Sequence, residues 1–319
     1  MSSFHHKVDT LAPVQKRRNY SSYLSATRKI IDDDKGDYMT TAHAPNKTPL
    51  TVKPRRMVFP YASLKTKNFF DDNLLKSAYM AAMSSTFPGG EGEFIDSVRL
   101  FRDQVEDEDL KQQIRGFIGQ EGHHSHQHKQ FNVALQKLGF DAVRLEKSFD
   151  KDLQRTIKDL SPEQRLAFTV SFEHQTAILA EEFLTNPQLL DGMDDVFKQL
   201  MLWHSVEEIE HKSVAFDLYM HCVGDRKLLK KMQRKAVFMF SFRVSKYMMF
   251  LMWWSRSLPK WSDIKGFAKF LFAKNGLIRN LRKPYKDYFR DDFHPWDNQN
   301  QHLIDQWKSN NIDDGKAAA

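Results

Sequence analysis

The chain has 319 residues, of which 41% are hydrophobic and 28% are charged, and this balance excludes a disordered or a fibrous protein. Its one cysteine, Cys222, excludes an internal disulfide framework and any four-cysteine zinc or iron–sulfur site, and it favours a reducing, cytoplasmic compartment. The formal net charge of +7 is unevenly distributed, because residues 225–290 hold 18 Lys and Arg against three acids.

The first part of the chain has no helical pattern. Residues 1–56 mix Ser, Thr, Lys, Asp and Pro without sustained periodicity, which predicts an extended, poorly ordered arm. The first 30 residues hold no apolar segment of the kind that a secretory signal needs, so no such signal is expected.

From residue 64 onward, composition and spacing predict helices. Pro88-Gly89-Gly90 is expected to separate the first helix from the second, Leu138-Gly139 to end the third, and Ser161-Pro162 to start the fifth. No series of strands is apparent, so the sequence predicts an all-α protein, a helical bundle. The predicted helices cover residues 64–84, 91–104, 107–137, 148–158, 162–184, 190–221 and 226–257.

No predicted helix should cross a membrane, since the most apolar candidate, residues 236–254, is interrupted by Arg243 and Lys246. The wider segment 230–259 could be a bundle helix with snorkelling lysines or an interfacial helix on anionic lipid. Its Met and Phe residues fit a plain core, and they could also line a pocket for a lipophilic substrate. A nucleic-acid partner is not expected, because no recognised nucleic-acid-binding motif is present.

Two of the predicted helices carry the same Glu-x-x-His unit. Glu121 and His124 are three residues apart, with His128 four residues further, so all three side chains share one helix face. Glu208 and His211 repeat the unit on a later helix. One such unit is weak evidence of a functional site, because Glu and His are common on helices. Two units together indicate a shared role.

Each unit is preceded by a helix that carries a further glutamate. Glu91 lies 30 residues before Glu121, and Glu173 lies 35 residues before Glu208, which fits two pairs of neighbouring antiparallel helices. Two hairpins that each offer one Glu and one Glu-x-x-His form the ligand set of di-iron and dimanganese carboxylate bundles. The sequence therefore predicts two metal ions, with iron expected and manganese or zinc as alternatives.

Several neighbouring residues have open roles. His128 is predicted as an additional metal ligand, although an outer hydrogen-bond partner or a core histidine fits it as well. His204, four residues before Glu208, and Glu207 are candidate acid or base groups for catalysis. The alternative for Glu121, His124, Glu208 and His211 is salt bridging on amphipathic helices, which their apolar neighbours disfavour. For Glu91 and Glu173 the alternative is a charge at a helix N-terminus or a buried ion pair.

Five short motifs surround these residues: FPGGE at 87–91, FIGQE at 117–121, FEH at 172–174, WHSVEEIEHK at 203–212 and FHPW at 293–296. Together they resemble the bacterial "predicted metal-dependent hydrolase" family, which is similar to the ferritin-like superfamily. The resemblance implies a ferritin-like four-helix bundle with extra C-terminal helices. It implies metal ligands at Glu91, Glu121, His124, Glu173, Glu208 and His211. Glu93 stands where the family usually has an apolar residue, and we prefer Glu91 to it as the ligand.

On these grounds the chain divides into three parts. They are an arm over residues 1–56, a dimetal helical bundle over residues 57–225, and a basic, aromatic helical extension over residues 226–319. The expected location is the cytoplasm, with peripheral association at the inner face of the membrane, and a homodimer is compatible with the sequence.

Three functions are open at this stage. The first, which we favour from the ligand pattern, is a di-iron enzyme that uses dioxygen to oxidise a small lipophilic or acyl-type substrate. It would need a separate reductase, because the chain has no glycine-rich dinucleotide fingerprint. The second is a metal-dependent hydrolase, as the family's name implies. The third is a non-catalytic metal-binding bundle, although the long C-terminal part does not suit a storage cage.

Overall fold

Helices make up most of the described part of the chain, which is residues 49–311 of a computed structural model. They are α1 (Leu74–Ser84), α2 (Phe87–Arg99), α3 (Glu108–Lys137), α4 (Ala142–Ile157), α5 (Pro162–Thr185), α6 (Asp195–His211), α7 (Val214–Cys222), α8 (Arg226–Trp254), α9 (Trp261–Phe272), α10 (Leu277–Asp287) and α11 (Gln301–Asn311). Residues 49–311 form no β-strand, which confirms the predicted all-α class. Residues 1–48 of the predicted arm and 312–319 of the predicted extension lie outside this part.

Two predicted helix boundaries are confirmed. α5 begins at Pro162 behind a capping box, in which the Ser161 hydroxyl accepts from the Gln164 backbone and the Gln164 side chain accepts from the Ser161 backbone. α3 ends at Lys137, and Gly139 follows with a φ of +102°, a conformation that glycine adopts without strain. Local polar and glycine positions thus account for both boundaries.

Several other boundaries differ from the prediction, among them the start of α4, which lies at Ala142 and not at residue 148. The break expected at residues 88–90 lies inside α2, because Pro88 occupies the first helical turn, where its missing N–H costs no hydrogen bond. The first helix begins at Leu74 and not near residue 64. The side chain of Asn73 caps its first turn and so sets this later start.

The single helix predicted over residues 190–221 is in fact two helices, α6 and α7, with a turn at Lys212 and Ser213. The hydroxyl of Ser213 donates a hydrogen bond to the Asp217 carboxylate, which stabilises the turn at the start of α7. Because the turn follows directly after His211, α6 ends at one of the predicted metal ligands.

Four helices surround the buried centre of the molecule. α2 packs on α3 and α5 packs on α6, and in addition α3 contacts α6 and α2 contacts α5. Two apolar clusters pack around them, one with Phe131, Phe197 and Trp203, the other with Phe117 and Leu166. The side chains that project between these helices are therefore shielded from solvent.

α8 belongs to the same core. Its residues Val244, Tyr247 and Leu251 are buried in one apolar cluster with residues of α1, α3 and α6. All residues that the structure describes lie within one compact unit, on both sides of residue 225. The buried residues Val244, Tyr247 and Leu251 thus complete the core. Among the described helices, none has both the length and the apolar character needed to span a bilayer.

Residues 49–59, which we call the N-terminal strap, run without helix against α3. Val52 of the strap is buried, and Gly116 of α3 leaves room for it, since a Cβ at position 116 would lie 2.2 Å from the Val52 carbonyl oxygen. Residues 49–56 therefore belong to the helical unit. The arm predicted over residues 1–56 thus overlaps the strap at residues 49–56.

We expect Gly116→Ala to destabilise the protein by about 1–3 kcal/mol, because the added methyl group pushes the strap away from α3. Gly122→Ala is the matched control on the same helix. Nothing lies within 4 Å of a Cβ at that position, so alanine should stabilise by about 0.5–1 kcal/mol through its helix propensity. Urea unfolding followed by circular dichroism measures both changes, and equal shifts in the two variants would contradict the close contact.

Candidate metal centre

Six predicted ligands meet in one cluster between α2, α3, α5 and α6. They are Glu91 from α2, Glu121 and His124 from α3, Glu173 from α5, and Glu208 and His211 from α6, and all six are buried. Ligand atoms of Glu91, Glu121 and His124 lie within 4.8 Å of one another. The same is true of Glu121, Glu173 and His211. Because Glu121 belongs to both groups, they would offer two adjoining positions for cations. Two further groups within the same limit include His204: one with Glu91 and His128, the other with His124 and Glu208.

Two glutamates lie between the two imidazoles. His211 Nε2 is 3.1 Å from Glu121 Oε1 and 3.5 Å from Glu208 Oε2. His124 Nδ1 is 3.5 Å from Glu208 Oε1 and 4.0 Å from Glu121 Oε1. Each of these carboxylates therefore faces both histidines, as a ligand that bridges two cations would. Glu173 lies beside only one of the two imidazoles, with its Oε2 3.3 Å from His211 Nε2.

The cluster lacks the hydrogen-bond donors that buried carboxylates need. Nine buried cluster atoms have no hydrogen-bond partner among the described residues: both oxygens of Glu91, Glu121 and Glu173, one oxygen of Glu208, His124 Nδ1 and His211 Nε2. Each buried polar group left in this way costs about 1–3 kcal/mol, and more when it is charged. Divalent cations would satisfy these atoms, and a donor set of carboxylate and imidazole suits iron, manganese or zinc. The residues present thus fit a pair of metal ions.

Burial also shifts the pKa values of the ligands. Burial, followed by the neighbouring Glu121, holds the pKa of Glu91 well above its usual range. Burial raises the pKa of Glu173 to about 8. Burial alone would lower the pKa of His124, but the carboxylates around it raise this pKa to about 10. Without metal, Glu173 and His124 therefore hold protons at neutral pH.

Metal binding at pH 7 should consequently release protons. Cations must displace the protons on Glu173 and His124, whose pKa values are about 8 and about 10. As the pH falls below 8, each displaced proton weakens the apparent affinity about tenfold per pH unit. Isothermal titration calorimetry with zinc in buffers of different ionisation enthalpy measures the number of protons released. Identical heats in all buffers would contradict the protonation of these ligands.

A layer of polar residues outside the ligands orients His211. Its Nδ1 lies 2.9 Å from Gln120 Oε1, which can only accept, so Nδ1 carries the proton of the neutral ring and Nε2 is left for the cluster. Gln120 keeps this orientation because its Nε2 donates to Glu210 Oε2 at 2.8 Å and to the Lys53 backbone oxygen at 3.2 Å.

Glu207 orients His124 in the same way. Its Oε2 lies 3.0 Å from His124 Nε2, which leaves Nδ1 of this ring for the cluster. Its Oε1 accepts from the Arg55 backbone and from the Arg55 guanidinium, each at 3.1 Å. Glu207, predicted as a catalytic acid or base, is thus placed behind His124 with both oxygens engaged. No sequence pattern points to Arg55, which also donates to Glu210.

A row of hydrogen bonds ends at His204, beside the cluster. His204 Nε2 lies 2.7 Å from Glu208 Oε1, and its Nδ1 lies 2.8 Å from His128 Nε2. His128 Nδ1 in turn lies 2.9 Å from Ser84 Oγ. His128, predicted as an additional metal ligand, is therefore placed behind His204 with both ring nitrogens engaged.

The outer end of this row determines the direction of its hydrogen bonds. Asn132 Nδ2 donates to the Glu146 carboxylate at 3.0 Å, so Asn132 Oδ1 faces Ser84 and accepts the hydroxyl proton at 2.9 Å. Ser84 Oγ then accepts from His128 Nδ1, and His128 Nε2 accepts from His204 Nδ1. His204 Nε2 consequently carries a lone pair and no proton, and it lies 2.7 Å from Glu208 Oε1, which is also an acceptor. Two acceptors at this distance need a proton or a metal ion between them.

An apolar cavity ends at the cluster. Its inner end is formed by Glu91, His204 and Glu208. Its walls are aromatic and aliphatic, and they include Phe87, Phe94, Phe168, Phe172, Leu179, Met239 and Phe240. The volume of about 120 Å³ is several times the ~10–15 Å³ that one water molecule needs, so the space can admit a ligand. The pattern of Met and Phe residues in α8 thus contributes to a cavity wall.

Glu91 and Glu93 are two residues apart on α2, yet only Glu91 faces the other ligands. Glu93 forms a two-point ion pair with Arg165 at 2.6 and 2.7 Å. We expect Glu91→Gln to lose at least one metal ion per chain, because the charged ligand is removed, and Glu93→Gln to keep its metal content. Mass spectrometry of the metals in the purified variants measures this. If Glu93→Gln lost metal and Glu91→Gln did not, Glu93 and not Glu91 would be the metal ligand.

Comparison with known proteins agrees with a metal centre. A family model described as "predicted metal-dependent hydrolase" matches residues 53–299, more than three quarters of the chain. Neither the curated proteins nor the solved structures provide a match, so the likeness to ferritin-like proteins stays a prediction. The matched residues include every histidine and glutamate of the candidate cluster. The chain therefore belongs to the predicted metal-dependent hydrolase family.

Proposed function

We propose that this protein is a metal-dependent hydrolase that acts on a substrate with an apolar chain. One observation carries the proposal. Buried carboxylates and imidazoles without hydrogen-bond partners of their own, among the described residues, converge at the inner end of an apolar cavity. The description of the family supports the same chemistry.

Two divalent cations in the cluster would supply Lewis acidity and lower the pKa of water towards neutrality. The chain itself keeps the donor atoms in position, since Gln120 and Glu207 fix the rings of His211 and His124. The cavity walls hold the apolar part of the substrate and exclude bulk water. The substrate bond to be cleaved would then lie against Glu91 and Glu208, at the inner end of the cavity.

Of the two residues predicted as acid or base, His204 suits proton transfer better. It lies at the inner end of the cavity, and its Nε2 can take up or return a proton beside Glu208. Glu207 is engaged by Arg55 and His124, so we propose that it is a positioning residue.

The test is the turnover of p-nitrophenyl esters of increasing acyl length by zinc-, manganese- and iron-loaded protein. We expect turnover in the absence of oxygen, a preference for longer acyl chains, and loss of activity on chelation. Glu208→Gln should be inactive, whereas Glu106→Gln, at an exposed position, should match the unmodified protein. Ester turnover that requires oxygen would contradict hydrolysis.

Dioxygen-dependent oxidation of a lipophilic substrate is the second candidate. The observation that favours it is the ligand set itself, since four glutamates and two histidines on four helices match the inventory of di-iron carboxylate proteins. Iron would supply the redox chemistry, and a separate reductase would deliver electrons. Oxygen uptake by reduced, iron-loaded protein on addition of a fatty acid tests this candidate. If neither activity occurs, a non-catalytic metal-binding bundle is the remaining function.

A further inference from the structure

α8 presents an apolar face to solvent. The exposed residues and their exposed fractions are Phe238 (74%), Phe242 (67%), Met249 (59%) and Trp253 (73%). At about 100° of rotation per residue, spacings of four, seven and four positions keep these side chains within about 60° of arc. We call these four residues the α8 face. Leu258 and Trp261 extend the exposed apolar surface beyond the end of the helix.

The same side of α8 is basic in its first half. The exposed cations there are Lys227, Lys231, Arg234 and Lys235. From residue 226 to residue 262 the chain holds ten Lys and Arg and no Asp or Glu. Within residues 49–311, no ion pair engages Lys227 or Lys231. One helix surface thus combines uncompensated positive charge with exposed aromatic side chains.

We propose that the α8 face docks on the surface of an anionic lipid bilayer. Cationic side chains are attracted by anionic headgroups, while aromatic and aliphatic side chains enter the boundary between headgroups and acyl chains. Trp253 and Trp261 belong to the residue type that is enriched at this boundary. A bilayer offers both interactions along its whole surface, whereas a protein partner would need acidic and apolar patches in register with both halves of α8.

The mouth of the apolar cavity lies beside this face. The half-exposed residues that line the cavity include Leu153 and Ile157 from α4 and Met239, Phe240 and Arg243 from α8. Met239 and Arg243 directly follow Phe238 and Phe242 in the sequence of the helix. Docking would therefore bring the mouth to the bilayer, and an apolar chain could enter the cavity without crossing water. This last step rests on the proposed function, whereas the docking itself does not.

The experiment is co-sedimentation of the metal-loaded full chain with vesicles of phosphatidylcholine, with and without phosphatidylglycerol. We expect binding to the anionic vesicles that weakens at high salt. Lys227→Ser combined with Lys231→Ser should lower the partition coefficient on the order of 30-fold. Trp253→Ser should lower it on the order of tenfold or more, because a large apolar side chain no longer enters the bilayer.

Two matched controls lie outside α8. Val58→Ser replaces an apolar residue of the strap that is 90% exposed, and Lys137→Ser replaces an exposed lysine of α3. Both should bind like the unmodified protein. Absence of binding to anionic vesicles, or equal binding by all variants, would overturn the proposal. So would a dimer in analytical ultracentrifugation that Phe242→Ser dissociates while vesicles are not bound, because a second copy would then occupy the face.

Co-sedimentation requires no turnover, so an inactive protein that binds vesicles refutes the proposed function alone. Conversely, Phe242→Ser should hydrolyse short, soluble esters at the unmodified rate, because Phe242 lines neither the cluster nor the cavity. A protein that hydrolyses such esters but does not bind anionic vesicles would refute the docking proposal and leave the proposed function intact.

Discussion

Addition of two divalent cations per chain should raise the thermal unfolding midpoint of the metal-free protein by roughly 15 °C. At a thousandfold excess over its dissociation constant, each cation stabilises the folded state by about 4 kcal/mol. In a chain of this size, each kcal/mol moves the midpoint by about 2 °C. The physical origin is the set of buried ligand atoms that have no other partner among the described residues.

Glu208→Gln should lose more than half of this shift, because Glu208 faces both imidazoles and would contact both cations. Differential scanning calorimetry with and without zinc measures the midpoints. Glu106→Gln, at an exposed position, should keep the full shift. A chelated protein that unfolds at the same temperature as the metal-loaded protein would contradict the metal centre as a whole.

Arg55→Ala should destabilise the protein by about 3–5 kcal/mol, which is a large effect for a residue outside the cluster. The guanidinium of Arg55 pairs with Glu207 and Glu210, and both of these glutamates are buried. Removal of one partner of a buried ion pair leaves an uncompensated charge, which is why the cost is high. Glu210 retains Lys308 at 2.7 Å, whereas Glu207 loses its cation.

The adjacent Arg56 supplies the matched control, because its side chain is exposed. Arg56→Ala should stay within about 0.5 kcal/mol of the unmodified protein. Urea unfolding measures the stability of both variants, and metal analysis should show a lower affinity in Arg55→Ala, since Glu207 no longer holds His124 in place. Equal stability of the two variants would contradict the role of Arg55.

The helices that carry the cluster could be predicted because the relevant pattern is local. A Glu-x-x-His unit places its two side chains on one helix face whatever the tertiary structure is. The intervals from Glu91 to Glu121 and from Glu173 to Glu208 match the observed packing of α2 on α3 and of α5 on α6. The all-α class followed from the same helical spacing.

The residues that orient the imidazoles could not be predicted from local sequence patterns. Arg55 lies in a stretch whose composition suggests an extended arm, and no periodicity relates it to Glu207, more than 150 positions away. Gln120 belongs to one of the motifs, but its hydrogen bond to His211 depends on the packing of α3 against α6. The row behind His204 likewise joins four helices, so only the folded chain brings its members together.

Helix boundaries failed for a different reason. Pro88 can interrupt a helix or begin one, and the choice depends on whether the preceding residues continue the helix. Here Ser85 and Thr86 separate α1 from α2, so the proline falls in a first turn and no break follows it.

Glu210 joins segments that are synthesised at very different times. It pairs with Arg55 near the start of the described chain and with Lys308 near its end, more than 250 positions later. During translation, the first of these partners leaves the ribosome long before the second has been made. The completed surroundings of the ligands are therefore a property of the finished polypeptide, and a nascent chain that ends before α11 would leave this carboxylate only half compensated.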